Sequence, residues 1–387
     1  MKIKVIAFAL LVASCTQNSK IDEITEKASI NITIPKFDNH QTVNYSDVYS
    51  AVDIIVLEDN PEVNLGNIYS LETTKDGDYL LFDLISHCIV LYDSIGHFKN
   101  LIGEVGHSQK EYIFPTSVAY DPFQDNIVVW DNFYLKIYNL NGEFNSALKL
   151  PWSSGEVKVL DSETYVIYKN PYLIENDETG SCIKVIRKTD GQLVKEYWPF
   201  SSDDTSVQPS VNAVFTMQAG TMYCFPPYSS RLFSIGQKGI SPIVSILFEN
   251  SPGNWIYGEN CAEIKYRREH VMHTEGFDNR VSKLYETPDY YVSNVSYNGA
   301  IYLWIFDKNT QKTICFADGV CNDMAGYLGT SYIQTVINRK VYCLIDPVSY
   351  MHFLKENSLN ISSEQNLGLI QAMSKTREPI IQVCTLK

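Results

Sequence analysis

The chain has 387 residues, 45% of them apolar, and carries 31 basic against 45 acidic side chains for a formal charge of −14. That apolar share excludes a wholly disordered chain. The acidic balance excludes an ordinary nucleic-acid binder, which needs a basic face to displace counterions, so no nucleic acid is expected as a partner.

Residues 1–14 read as an export signal. Lys2 and Lys4 form the charged start, Val5 to Val12 a short apolar core, and Ala13 and Ser14 the small residues before a cut. The apolar core falls well short of the roughly 20 residues that span a bilayer. The run Leu11-Val12-Ala13-Ser14-Cys15 resembles a bacterial lipobox, which implies a lipidated Cys15 as mature N-terminus and the membrane as a partner. The alternative is a plain secretory signal with an incidental Cys. Residues 15–47 are then the lipidated Cys and a polar tether, and 48–387 the folded domain.

Repetition carries the fold assignment. A turn of the type aromatic-Asp-x-x-Gly recurs, with variations, as Tyr92–Gly96, Tyr138–Gly142, Lys188–Gly191 and Phe233–Gly236, with intervals of 46, 49 and 45 residues, and returns weakly at Phe306–Thr310 after 74. A second series of turn dipeptides precedes them: Asp76-Gly77, Asp125-Asn126, Asp161-Ser162, Ala219-Gly220, Asn298-Gly299 and Asn338-Arg339. Gly and Asn accept the positive φ such turns need. A period near 47 residues suits a four-stranded propeller blade and is too long for a β-helix coil. The first series occurs five times and the second six, so one blade is assembled from distant parts of the chain. The expected fold is all-β, a six-bladed β-propeller, with Val52–Leu57 and Pro379–Leu386 closing blade six.

Two segments break the period. Residues 251–289 read as an insertion between blades four and five, with a helix over Cys261–Met272, and residues 346–375 as short helices around Met351–Lys355 and Glu364–Ser374 before the last strand. The cysteines show no metal-binding spacing; mostly free, buried thiols are expected, with Cys315–Cys321 the best candidate for a disulfide.

The stretches Ile55–Glu58, Leu65–Ile68, Asn322–Gly326 and Glu378–Lys387, together with Gly106, Glu111 and Tyr112 in the loop Gly103–Tyr112, resemble the six-bladed β-propeller lipoproteins of Bacteroides-type bacteria, related in shape to NHL-repeat propellers. The resemblance runs from about Val52 to Lys387. It implies an outer-membrane or surface lipoprotein, on either side of that membrane, and no particular reaction.

No G-x-S-x-G elbow, H-E-x-x-H pair or phosphate-binding glycine loop is present, and no cofactor is expected. His270 and His273 could share a helical face with Glu269 and Glu275 nearby, but read as solvated surface, so no metal is assigned. The candidate ligand-binding residues fall in two sets. His107, Lys110, Glu111 and Tyr112 lie in the loop joining blades one and two, where they either face the channel mouth or shape the crossover. Trp130, Tyr134, Tyr228, Arg231 and Trp304 offer large rigid contact area for a sugar or peptide if exposed, and pack between blades if not. The expected function is a non-catalytic binding or scaffolding lipoprotein of the envelope, whose partner is a glycan, a peptide or an envelope protein. The alternative is a propeller hydrolase or lyase with its site at the channel mouth, built of carboxylates brought from separate blades.

Overall fold

The computed structural model describes residues 28–34, 44–153, 155–169, 181–199, 214–218, 220–225, 231–236, 239–249, 280–297, 300–316, 324, 333–356 and 371–387. Six sheets are arranged as blades in a ring. A strand β1 (Ile30–Ile34), a short helix α1 (Tyr45–Val48) and a strand β2 (Tyr49–Val56) come first. Blade one is β3 (Ile68–Thr73), β4 (Tyr79–Asp83), β5 (Ile89–Tyr92) and β6 (Phe98–Leu101). Blade two is β7 (Pro115–Asp121), β8 (Asn126–Asp131), β9 (Tyr134–Asn139) and β10 (Phe144–Lys149). Blade three is β11 (Glu156–Val159), β12 (Thr164–Tyr168), β13 (Ser181–Arg187) and β14 (Leu193–Pro199). Blade four is β15 (Val214–Gln218), β16 (Thr221–Phe225), β17 (Arg231–Gly236) and β18 (Gly239–Phe248). Blade five is β19 (Arg280–Glu286), β20 (Tyr290–Tyr297), β21 (Ala300–Asp307) and β22 (Lys312–Phe316). Blade six is β23 (Ile333–Ile337), β24 (Lys340–Ile345), β25 (Ile380–Leu386) and, outermost, β2.

The closure expected between distant segments is present: β25 pairs antiparallel with β24 on one side and with β2 on the other, Val52 facing Cys384 and Ile55 facing Ile381. The core is distributed between blades. One apolar layer joins blades six and one, and others join one to two, two to three and three to four. Each sheet is therefore covered on both faces, which explains runs such as Tyr79–Asp83 and Ile89–Tyr92 in which every residue is buried.

The recurring turn owes its composition to two demands. Its Asp or Asn folds back onto the backbone: Asp93 accepts from the N–H of Ile95 and His97, and Asn139 does the same for Asn141 and Glu143. At Gly96, Gly142 and Gly191 the Gly lies at positive φ and against the preceding blade, whereas Gly236 does neither. A Cβ on Gly142, at φ +83, would stand 2.0 Å from the Leu101 carbonyl oxygen, and one on Gly96 2.5 Å from that of Val56. The period thus marks where successive blades interlock.

Three expectations need correction. Residues 280–286, placed in the insertion, form β19, the first strand of blade five. Asn298-Gly299, grouped with dipeptides such as Asp76-Gly77 that join the first and second strands of a blade, fall outside the described residues, and Tyr297 and Ala300 on either side of them pair across the second and third strands of blade five. Within the expected tether, Ile30–Ile34 runs parallel to β18 as a fifth, outer strand on blade four, with Ile32 and Ile34 buried. Alternating Ile with polar Asn and Thr gives a half-buried strand, a pattern hidden by the polar surroundings. The first helix before β25 is α2 (Pro347–Glu356), and residues 371–373 are helical; the expected Cys261–Met272 helix and most of Glu364–Ser374 lie outside the described residues. Cys88, Cys224, Cys315, Cys343 and Cys384 are free thiols; Cys321 lies outside the described residues.

Candidate functional site

Loops joining the second and third strands share one face with the crossovers between blades, because the strands of each sheet alternate in direction. Blades one and two build this face from paired devices. Asp83, at the end of β4, accepts from the N–H groups of Asn67, Ile85 and Ser86. Asp131, at the end of β8, accepts from Ile113 and Phe114 N–H and pairs with Lys136 at 3.0 Å, both side chains being buried. Each Asp therefore ties the incoming crossover to the following loop. Both loops contain a non-glycine residue at positive φ, His87 at 58° and Asn132 at 51°, a conformation more costly for His than for Asn.

The crossover carrying His107, Lys110, Glu111 and Tyr112 is pinned from beneath. Tyr112 is buried against Tyr138, the rings nearly perpendicular at 6.2 Å. The Tyr138 hydroxyl donates to the Lys110 carbonyl at 2.9 Å, and Lys136 Nζ donates to the Glu111 carbonyl. The Glu111 carboxylate accepts from Ser108 N–H at 2.8 Å, and the backbone N–H groups of Ser108 and His107 hold its pKa below the usual carboxylate range. It also occupies the space a side chain on Gly106 would need. Gly106, Glu111 and Tyr112 thus shape the crossover, while His107 and Lys110 stand exposed on it.

The second candidate set divides. Trp130 is fully buried and donates from Nε1 to the Asn132 carbonyl at 2.8 Å, so it packs blades two and three rather than meeting a ligand. Trp304 is also fully buried, stacked on Phe306 at 6.1 Å. Both side chains are in the packed position that was the alternative to ligand contact, because these strands are covered on both faces. Arg231 is half-buried at the start of β17, Tyr228 lies outside the described residues, and Tyr134 is 40% exposed.

The face that carries Tyr134 also presents residues that sequence reasoning missed. Ile85, Ile113, Phe114 and Phe133 all stand exposed on the same loops, Ile85 to 73% and Phe114 to 51%. His87 lies edge-on to Phe114 at 4.9 Å, linking the two loops. The available signal was apolar residues placed immediately beyond the Phe82-Asp83 and Trp130-Asp131 strand ends, where a buried strand has already stopped.

A second cluster lies on the axis. The first strands of the blades touch in the order β11, β7, β3, β23, β19 and β15. Their unpaired edges are satisfied by side chains from neighbouring blades: Glu72 accepts from Tyr120 N–H at 2.7 Å, Ser117 from Val157 N–H at 3.1 Å, and the Tyr285 hydroxyl donates to the Gln334 carbonyl at 2.9 Å. Glu72 of blade one also pairs with Lys158 of blade three, reaching past blade two. Burial raises Glu156, at the start of β11, to about 7 against the pull of Lys158 and Lys283. Burial also lowers Lys283. Among the described residues no group of three or more His, Cys, Asp and Glu is disposed to hold a metal.

A family model described as Domain of unknown function (DUF4934) matches residues 28–385. The chain belongs to that DUF4934 family. No curated protein matches it. The DUF4934 ring is similar to a structure from Bacteroides fragilis assigned as an exported protein, with 15% identity, a TM-score of 0.72, and coverage of 92% of this chain and 99% of that one. It is more distantly similar to a DUF4221 family member from Bacteroides vulgatus, at 11% identity and TM-score 0.48 over 87% and 98% of the two chains. A virginiamycin B lyase from Staphylococcus aureus aligns at 9% identity and TM-score 0.43 over 85% and 87%. The first of these establishes the propeller fold for the DUF4934 chain.

Proposed function

We propose that this protein is an envelope lipoprotein, anchored through Cys15, whose propeller binds an apolar segment of a partner protein without transforming it. The observation that supports this reading is the strip Ile85, Ile113, Phe114, Phe133 and Tyr134, exposed together on the crossover face. Aromatic and branched side chains held on loops tied down by Asp83 and Asp131 lose little freedom on binding, and exposed apolar patches of this kind mark association sites. A glycan site would add a set of convergent hydrogen-bonding groups to its aromatic platform; here Phe and Ile predominate, which favours protein side chains.

The test is binding of the mature protein to arrays of apolar peptides and of glycans, compared with a Phe114→Ser, Phe133→Ser variant whose thermal unfolding is unchanged. Peptides should bind, and the variant should lose about thirtyfold or more in affinity, since one anchoring aromatic contributes about 2 kcal/mol. Binding to glycans alone, or equal binding by the variant, would refute the assignment. The anchor is tested separately. Cys15→Ser should move the protein from the membrane fraction to the soluble one, because no acyl chain would remain to hold it. Persistence with the membranes would remove the lipobox reading and leave the binding face untouched.

A further inference from the structure

The loops of the apolar strip offer their side chains while their main chain is already engaged. The N–H groups of Ile113 and Phe114 both donate to Asp131 Oδ1, at 3.1 and 2.8 Å, and that of Ile85 donates to Asp83 Oδ1 at 2.9 Å. The carbonyls of these loops are taken too. Phe133 accepts from Leu150 N–H at 2.7 Å, Asn132 from Trp130 Nε1 at 2.8 Å, and Tyr112 from Gly106 N–H at 2.9 Å. Those of Lys110 and Glu111 are held by the Tyr138 hydroxyl and by Lys136 Nζ. Tyr134 opens β9, which is paired on both sides, Tyr134 facing Asp131 of β8 and Lys149 of β10.

A polypeptide segment can be held in two ways that differ in what the receiving backbone must supply. An extended segment adds to a sheet edge through its own main chain, so it needs a free row of donors and acceptors opposite. A helix satisfies its N–H and C=O groups internally and needs only apolar side chains to meet. Here the donors of Ile85, Ile113 and Phe114 are committed to carboxylates that are 0% and 2% exposed, Asp83 and Asp131. Freeing those donors would leave buried anions short of hydrogen bonds, a costly exchange.

We propose that the partner segment on this strip is an amphipathic helix, its apolar face laid on Ile113, Phe114 and Phe133 and its polar face carrying an acidic residue toward Lys110. The proposal rests on the reading of the strip as a protein-binding surface. Lys110 stands exposed three residues before Ile113 and is in no ion pair among the described residues. The neighbouring Glu111 carboxylate is turned onto Ser108 N–H. Glu104 is exposed on the opposite limb of the crossover, where its carbonyl accepts from Tyr112 N–H at 3.0 Å. A carboxylate on the helix therefore supplies the counter-charge that Lys110 lacks.

Two peptides of one composition separate the modes by fluorescence anisotropy on the mature protein, each of about 16 residues so that a helix can persist. In the first, Leu and Phe recur at i, i+3, i+4 and i+7 with Glu and Gln between; in the second the same residues alternate. A third is the first with one central Gln replaced by Pro. The first should bind and gain helical circular dichroism as it does. The second and third should bind at least about tenfold more weakly, since alternation gives a helix no apolar face and Pro breaks it. Lys110→Gln should weaken the first peptide about threefold at low salt and leave it unchanged at high salt.

Tighter binding of the alternating peptide, lost in the Phe114→Ser, Phe133→Ser variant, would overturn the helix and leave the strip standing as a binding surface. Equal binding of the Pro-containing peptide would overturn it likewise, and unchanged affinity in Lys110→Gln would overturn the acidic contact. Binding of no peptide would remove the strip reading and the helix together. Sedimentation of the Cys15→Ser protein with phosphatidylcholine vesicles, abolished by the double Phe variant, would assign the strip to the bilayer and overturn the proposal.

Discussion

A chain ending at Glu378 is expected to lose cooperative unfolding altogether. The deletion removes β25, which is hydrogen-bonded along both edges, to β24 and to β2. It takes away Ile380, Ile381, Val383 and Leu386, each at most 3% exposed. At about 1.5–3 kcal/mol for each buried aliphatic side chain, the loss is on the order of 10 kcal/mol. That is comparable to the whole stability of an ordinary domain. The loss also spreads, because β2 and β24 would each be left with an open edge beside the layer joining blades six and one. Calorimetry on the truncated protein should show no unfolding endotherm; a sharp transition at the full-length midpoint would disprove the closure as a determinant of stability.

Lys188→Met should destabilise the ring by about 3–5 kcal/mol, the usual cost of leaving one member of a buried ion pair alone. Lys188 sits in the turn after β13, and its Nζ reaches Asp121 at the end of β7 in the neighbouring blade at 2.6 Å, the two side chains 4% and 0% exposed. The ammonium also lies over the rings of Phe123 and Tyr165, at 5.3 and 5.1 Å. Asp121 additionally accepts from Phe123 N–H at 3.0 Å, so Asp121→Asn keeps an acceptor there while removing the charge. The double variant Lys188→Met, Asp121→Asn should therefore recover part of the loss in denaturant unfolding. A single variant within about 0.5 kcal/mol of wild type would place this pair among surface contacts.

Much of the architecture was legible because the propeller writes the same local demand repeatedly. Each Asp or Asn that caps its own turn, and each Gly pressed against the preceding blade, is needed for reasons confined to a few residues, so the period survives where the strands themselves vary. Ile30–Ile34 and Arg280–Glu286 escaped for the opposite reason: each is defined by a partner, β18 or the axis, and stands beside long stretches that do not follow the period. The candidate site was read less well. Trp130 and Trp304 are strand residues in a fold whose sheets are packed on both faces, so a large aromatic there is a spacer between blades. Gly106, Glu111 and Tyr112 shape the crossover, one of the two tasks read for that loop, while His107 and Lys110 stand exposed on it. The axial charges carried a faint local trace, the alternation Glu156-Val157-Lys158-Val159. Their meaning depends on Glu72 and Lys283, which come from other blades.

The joining of β2 with β25 also governs the order of events in time. Ser50 and Thr385 are bonded across 335 positions of sequence, so β2 leaves the ribosome long before the strand that receives it. Blades one to five can condense as hairpins within themselves, but the ring stays an open arc until β25 arrives. During that interval the blade-six side of blade one is uncovered and β2 is a bare edge, the condition in which chains capture one another. Closing a loop of this size also slows the final step relative to the local ones. Under the export proposed above, late closure would keep the chain threadable until its journey is over.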